Sequence, residues 1–255
     1  MASPQFNMSK QQIIFKDLGQ MDYQSAWDYQ EQLLRENVAV KSGVRSQELR
    51  VKIDGLPASG SELQTQHHLL LVEHPPVYTL GKSGNIENVL INEEMRSAKG
   101  IEFFRTNRGG DITFHGPQQI VGYPILDLEK FYTDIGKYLR NLEEVIILTL
   151  SEYGIKGDRS AGETGVWIEP AVKGKERKIC AIGVRSSRWI TMHGFAFNVN
   201  TDLSYFNFIV PCGINNKQVT SLEKELGHKV NFDEAKEKVK QNFEKVFDAE
   251  LVNNE

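Results

Sequence analysis

The chain has 255 residues, of which 40% are hydrophobic and 25% charged, and its net charge is −4. That composition belongs to a globular protein with room for a sizeable core, and the mildly acidic balance lacks the basic signature of a nucleic-acid binder. No run approaches the roughly 18 apolar residues of a membrane helix, and the polar start MASPQFNMSKQQ lacks the apolar stretch of a secretory signal. The expectation is therefore a cytoplasmic protein that engages neither membrane nor nucleic acid. Two cysteines, Cys180 and Cys212, with no CxxC pair, make neither a disulfide framework nor a zinc site. No metal is expected.

In chain order, residues 1 to 12 read as a loose polar tail and Ile13-Ile14-Phe15 as a short strand. Tyr23 to Val40 has helical spacing, with Tyr23, Trp27, Gln30, Leu34 and Val38 on one face. Residues 41 to 64 are polar and turn-rich, with the look of an insertion and a possible hairpin at Asp54-Gly55. Leu69 to Val72 is a continuous apolar run and reads as a core strand. It stops at Pro75-Pro76, since proline cannot donate to a ladder. Val77 to Gly84 reads as a turn, and Ile101 to Phe104 as a strand.

Asp134 to Tyr153 carries the clearest helical period, through Ile135, Leu139, Leu142, Val145, Ile146 and Leu150, with Gly154 as its stop. Strands are expected at Gly165–Ile168, Lys178–Val184 and Ile190–Val199, the first two joined through the charged turn GKERK. Thr220-Ser221-Leu222-Glu223 matches a capping box for a short helix ending at Gly227. Asp233 to Phe247 closes the series as an amphipathic helix with Ala235, Val239, Phe243 and Val246 on one side. Strands and helices mix without a βαβα rhythm, which predicts an α+β fold with mixed sheet, in one domain.

Three stretches carry chemistry. Arg108 to Leu128, RGGDITFHGPQQIVGYPILDL, packs a cation, a Gly-Gly turn, a short strand, a His-Gly-Pro turn and a core strand into one run. It reads either as a ligand grip or as two surface turns flanking a strand. Lys178 opens an otherwise apolar, small-residue strand, either as a solvated end or as a group facing a site. Cys212 sits between Pro211 and Gly213 in a tight turn, whereas Cys180 lies in an apolar strand, the usual place of an inert thiol. A free thiol, with a pKa of about 8.5, is only a few per cent thiolate at pH 7, so a cysteine nucleophile needs help. A neighbouring ammonium supplies it by stabilising the thiolate; a lysine can serve as base where burial favours its neutral form.

Together HHLLLVEHPPVYTLG, RGGDITFHGPQQIVGYPILDL and the run from RKICAIGVR through MHGFAFNVNTDL to VPCGI resemble the lipoyl(octanoyl) transferases, over roughly residues 65 to 225 and in the right order. The resemblance implies a biotin/lipoate protein ligase-like fold. It implies transfer of an octanoyl group from acyl carrier protein to a lysine of lipoyl domains, through an acyl-cysteine thioester and without a cofactor. The implied acceptors are the lipoyl domains of 2-oxoacid dehydrogenase complexes and the glycine cleavage H protein, and the enzyme is expected to be a monomer. The family's K-x-x-A-I/L-G lysine falls on Lys178 and its P-C-G cysteine on Cys212, making these the implied catalytic pair. Its acyl-binding segments fall on Arg108, Gly109, Gly110, Asp111, Ile112, Thr113, Phe114 and His115; on Ala181, Ile182 and Gly183; and on Gly194, Phe195 and Ala196.

Two departures are visible. The family's H-G-P-G-Q reads His115-Gly116-Pro117-Gln118-Gln119 here, so Gln118 is expected at negative or mildly strained φ. The 41–64 segment is longer than the family core requires. A basic patch of Lys173, Lys175, Arg177, Lys178, Arg185 and Arg188 is a candidate dock for an acidic carrier protein.

Overall fold

The computed structural model describes residues 10–43, 64–210 and 218–253. The expectations for the 1–9 part of the tail, most of the 41–64 segment with its Asp54-Gly55 hairpin, and Cys212 lie outside these residues.

The apolar run ahead of Pro75 forms β2 (His67–Glu73), buried along its whole length. Its alternation explains why no polar residue interrupts it. Leu69 and Leu71 face one hydrophobic cluster, while Leu70 and Val72 face another on the opposite side of the sheet. β2 is flanked by β1 (Gln11–Gln20), paired parallel, and β6 (Gln119–Ile125), paired antiparallel. Beyond β6 come β10 (Ile190–Asn198), β9 (Arg177–Ser187), β8 (Val166–Ile168) and the short β7 (Gly157–Asp158). On the other flank β12 (Ala249–Asn253) pairs parallel with β1. Among the described residues the sheet runs β12-β1-β2-β6-β10-β9-β8-β7, with β11 (Gln218–Val219) added beside β9.

Helices cover both faces. α1 (Tyr23–Lys41) packs Ala26, Leu33 and Leu34 on Leu70, Val72, Val121 and Ala196. On the other face α3 (Ile135–Glu152) and α5 (Phe232–Phe247) bury Leu142, Val145, Ile146, Val239 and Phe243 against Leu69, Ile120 and Phe197. α3 starts where Asp134 accepts from the Lys137 N–H at 2.9 Å, and Gly154 follows its end at φ +73. Of the expected inner stripe of α1, Tyr23, Gln30 and Leu34 are buried. Ala26, Leu33 and Asn37 lie inside with them, while Trp27 and Val38 are only partly buried. The two polar members are bonded: Gln30 Oε1 accepts from the His193 N–H, and Asn37 Nδ2 donates to the Gln66 carbonyl.

A second, three-stranded sheet, β4-β3-β5, forms from β3 (Val77–Leu80), β4 (Glu102–Arg105) and β5 (Ile112–His115). The turn expected at Val77–Gly84 is thus a strand in its first four residues. Val77, Tyr78, Thr79 and Leu80 are all buried, and β4 and β5 pair with both edges. The sequence signal failed because the flanking prolines and glycines bound the strand but do not enter it. α2 (Glu93–Ala98) precedes β4, and α4 (Leu222–Leu226) follows β11. The cap of α4 is Ser221, which accepts from the Lys224 N–H, one residue after the Thr220 start of the expected box; Gly227 ends the helix at φ +78.

Gln118 takes the strained alternative of its two expected conformations. Its φ is +62, a left-handed value that glycine adopts without cost. Four hydrogen bonds hold it there. Its N–H donates to Glu73 Oε2 at 2.6 Å, its carbonyl accepts from Asn200 N and Thr201 Oγ1, and its Oε1 accepts from Asn200 Nδ2. No helix among the described residues is long and apolar enough to cross a membrane.

Candidate active site

A cavity of about 620 Å³ opens between the two sheets. β9 and β10 form its floor with Ala181, Ile182, Gly183, Gly194, Phe195 and Ala196; β6 adds Gln119, Val121 and Tyr123. Neighbouring backbone closely approaches two glycines of the floor. A Cβ at Gly194 would lie 2.1 Å from the Gly122 carbonyl oxygen, and one at Gly183 would lie 2.7 Å from that of Gly109. At these two positions glycine is demanded by backbone contact.

The loop Arg108–Asp111 with Ile112, Thr113 and His115 forms a second wall. Gly110 turns it at φ +86, and the Gly109 N–H ties it to the Val184 carbonyl at 2.9 Å. Arg108 is buried, its Nη2 donating to the Thr79 carbonyl at 2.6 Å and to Thr79 Oγ1 at 2.9 Å, and its Nη1 to the Gly109 carbonyl at 3.0 Å. Much of its donor capacity therefore goes into shaping the loop. Phe114 lies outside the lining; its ring stacks on Tyr205 at 4.6 Å between centroids, in the core of the small sheet. The third wall comes from Ile135 and Leu139 of α3, the two members of its apolar period that the sheet leaves uncovered, and from Gly162–Thr164.

Lys178 lines the same cavity, its Nζ 4.6 Å from the centroid of the Trp167 ring. It sits where β9 changes partner. From Cys180 onward β9 pairs with β10, but at Arg177 and Lys178 it pairs with β8 on one side and with Gln218 and Val219 of β11 on the other. Cys180 is wholly buried, and burial pushes its thiol well above its ordinary value, so it is no nucleophile.

Sequence reasoning missed several groups that line this cavity: Tyr23, Gln119, Tyr123, His193 and Asn198. Only the polar interruptions in FAFN and MHGF hinted at the last two. Tyr23, His74, His115 and Tyr123 form a contiguous ring cluster, with Tyr23 and His115 nearly parallel at 6.0 Å. His74 donates from Nδ1 to the Met21 carbonyl and so accepts at Nε2 from the Tyr123 hydroxyl, each at 2.7 Å. Burial keeps these rings neutral. It lowers His74 to about 4 and His193 to about 3, and with His74 and Arg108 nearby it takes His115 well below its ordinary value. The same desolvation raises Tyr23 to about 12. None of these groups is poised as a base near pH 7.

The expected basic patch is mostly spent internally. Arg177 binds Glu225 through two nitrogens and also Glu169; Arg185 binds Glu31, and Arg188 donates to Ser42. Lys173 and Lys175 remain exposed.

Comparison with known proteins agrees with this architecture. Residues 22–244 match the family model of the lipoyl protein ligase A/B catalytic domain. The octanoyltransferase of Christiangramia forsetii is 55% identical over 241 residues, covering 94% of this chain and 97% of that protein. That of Flavobacterium johnsoniae is 56% identical, covering 94% and 98%. Among solved structures, the lipoate protein ligase of a bipartite system from Thermoplasma acidophilum superposes with TM-score 0.64 at 15% identity, covering 96% of this chain and 87% of that one. A lipoate-protein ligase A bound with ATP gives 0.63 at 13%, covering 97% and 89%. At such identities these two share the fold alone.

Proposed function

The chain belongs to the lipoyl protein ligase A/B catalytic domain family, as one of its octanoyltransferases, and from that membership we propose that its acyl transfer runs through Cys212 and Lys178. The donor is an octanoyl thioester on acyl carrier protein, and the acceptor is a lysine of a lipoyl domain. Cys212 thiolate attacks the donor carbonyl, forming a new thioester and expelling the carrier thiol, which takes up the proton that Lys178 had removed from Cys212. The acceptor amine then attacks acyl-Cys212. The amide forms, and Lys178 passes the amine's proton to the departing cysteine. Thioester to amide is downhill, so no ATP enters.

The observation that carries this reading is the cavity itself: a floor of small strand residues with Lys178 at its edge. Cys212 lies two residues beyond Val210 in sequence, and the chain is back beside Lys178 at Val219. Burying the seven carbons beyond the carbonyl at about 0.8 kcal/mol each gives roughly 5 to 6 kcal/mol of acyl affinity. A tail two carbons shorter binds about 15-fold more weakly. Arg108, Gly109, Gly110, Ala181 and Gly194 are the proposed acyl contacts. The exposed Lys173 and Lys175 supply positive charge for an acidic donor, and the enzyme acts as a monomer in the cytoplasm.

Mass spectrometry after incubation with octanoyl-carrier protein tests the covalent step. One octanoyl adduct on Cys212, absent in Cys212→Ser, is the expected result. Full transfer activity in Cys212→Ser would refute it. An ATP-dependent ligase of the same fold would instead bind ATP tightly in a calorimetric titration and survive loss of Cys212.

A further inference from the structure

A hydrogen-bond chain runs through residues that line the cavity. It starts at Arg108, whose Nη2 donates to Thr79 Oγ1 at 2.9 Å, and Thr79 Oγ1 meets His115 Nε2 at 3.2 Å. His115 Nδ1 meets Gln119 Oε1 at 2.9 Å. Gln119 Nε2 donates to Asn198 Oδ1 at 2.8 Å and to the Phe114 carbonyl at 3.1 Å; Asn198 Nδ2 donates to the Thr220 carbonyl at 3.0 Å. The Thr220 N–H in turn donates to the Lys178 carbonyl at 3.0 Å.

The polarity of this chain is fixed by its ends. The Thr220 and Phe114 carbonyls can only accept, so both amides must turn their NH2 groups toward them. Asn198 Oδ1 and Gln119 Oε1 are then acceptors, and His115 must carry its proton on Nδ1. Its Nε2 is left as an acceptor for the Thr79 hydroxyl, whose oxygen accepts from Arg108, a group that can only donate. Every member has one compatible orientation, and reversing any one of them sets two like groups face to face. Gln119, Asn198 and Thr79 are buried, so a mismatch among them is costly.

We propose that Gln119 and Asn198 are positioning residues, whose amides lock the Arg108–Gly110 acyl wall and the Lys178 edge into one register through a one-way hydrogen-bond chain. The two ends of the chain belong to different parts of the fold. Arg108 and Thr79 belong to the small-sheet side, while Asn198 and Thr220 belong to the large sheet and its β11 margin. The 116–118 turn between β5 and β6 and the Gly109 N–H to Val184 carbonyl bond also join the two sides, and to these backbone links the amides add a side-chain connection that reaches the Lys178 carbonyl. The proposal rests on the reading that Lys178 and the acyl wall act in the same transfer.

The native protein offers the first test. Nitrogen-15 spectra of histidine-labelled full-length chain at pH 7, with His115 assigned by its loss in His115→Gln, should show His115 protonated on Nδ1 alone. A proton on Nε2 overturns the proposal. The second test uses shape-preserving variants, Gln119→Glu and Asn198→Asp, in octanoyl transfer to a lipoyl domain. In Gln119→Glu the new carboxylate cannot donate to Asn198 and draws a second proton onto His115. In Asn198→Asp the new carboxylate opposes the Thr220 carbonyl. Misplacement of this kind lowers kcat by about 100-fold, with KM for a small octanoyl thioester changed by no more than about threefold. Retention of kcat within about twofold, or a loss confined to KM, refutes the positioning role. If neither variant folds, the native tautomer decides. A fully active Cys212→Ser would remove the underlying dyad reading while leaving the His115 tautomer untouched, so the two failures are distinguishable.

Discussion

At the level of single residues, the site is built from absences as much as from functional groups. Gly194 is the sharpest case. Its Cβ-sized gap is filled by the backbone oxygen of Gly122 on β6, which cannot rotate out of the way as a side chain could. Gly194→Ala should therefore cost about 1 to 3 kcal/mol in folding stability, read as a lower urea midpoint at unchanged m-value. A midpoint equal to that of the wild-type chain would show that the strands can separate there at no cost. Lys178 and the small strand residues were legible in the sequence because the family pattern marks each position directly. His193, Gln119 and Asn198 were not, because what makes them part of the cavity is sheet register, and register is settled by partners far along the chain. Gln118 was left between two alternatives, and tertiary contacts chose the strained one. Local propensity argues against positive φ for glutamine, but four tertiary hydrogen bonds outweigh a penalty of about 1 to 2 kcal/mol.

At the level of elements, α3 shows how one helix serves both core and cavity. Leu142, Val145, Ile146 and Leu150 anchor it in the core, while its first turns, at Ile135 and Leu139, roof the cavity. Those turns depend on the Asp134 cap. Asp134→Ala should lower stability by about 1 kcal/mol, visible as a reduced thermal midpoint, and should weaken capture of a small octanoyl thioester more than it lowers kcat. Unaltered melting would mean that packing of the later turns alone fixes the helix start. The strongly periodic helices and β2 were readable from sequence because each buries a face of one simple period. β3 was not, because its four residues between prolines and a glycine turn are too short to display a period. The α1 stripe was read only in part, at Tyr23, Gln30 and Leu34, because its inner face also includes Asn37, a polar residue that hydrophobic spacing ignores.

At the level of the whole molecule, histidine burial sets a pH limit. Five histidines, all but His228 of the six in the chain, are buried. Burial lowers His67, His68 and His74 to about 4 and His193 to about 3, with His115 well below 6.5. Each therefore binds its proton in the unfolded chain at a higher pH than in the native one. The sign follows: their stabilisation is complete above pH 6.5 and is lost as pH falls from there toward about 4. Each contributes up to about 1.4 kcal/mol per pH unit across that window, against a typical total stability of about 5 to 15 kcal/mol. The urea midpoint should thus fall steeply between about pH 6.5 and 5.5, before most carboxylates protonate. A flat profile over that unit would show that the buried rings accept protons in place.

The parallel pairing of β12 with β1 bears on how the chain is made. Gln11 leaves the ribosome early, yet its partner Ala249 is 249 − 11 = 238 positions behind it. Throughout that interval the outer margin of β1 is a row of unfilled amide and carbonyl groups, open to any extended segment of a neighbouring nascent chain. The β1 margin cannot close before Ala249 has been made, and a pairing of such long sequence separation is intrinsically slow. A ribosome stalled just short of Ala249 would hold a polypeptide with most of its core but one open seam. Chains terminated after Phe247 should accordingly elute from a sizing column as larger species than the full-length protein, through strand exchange along β1. Adding back a peptide spanning Ala249–Asn253 should reverse this.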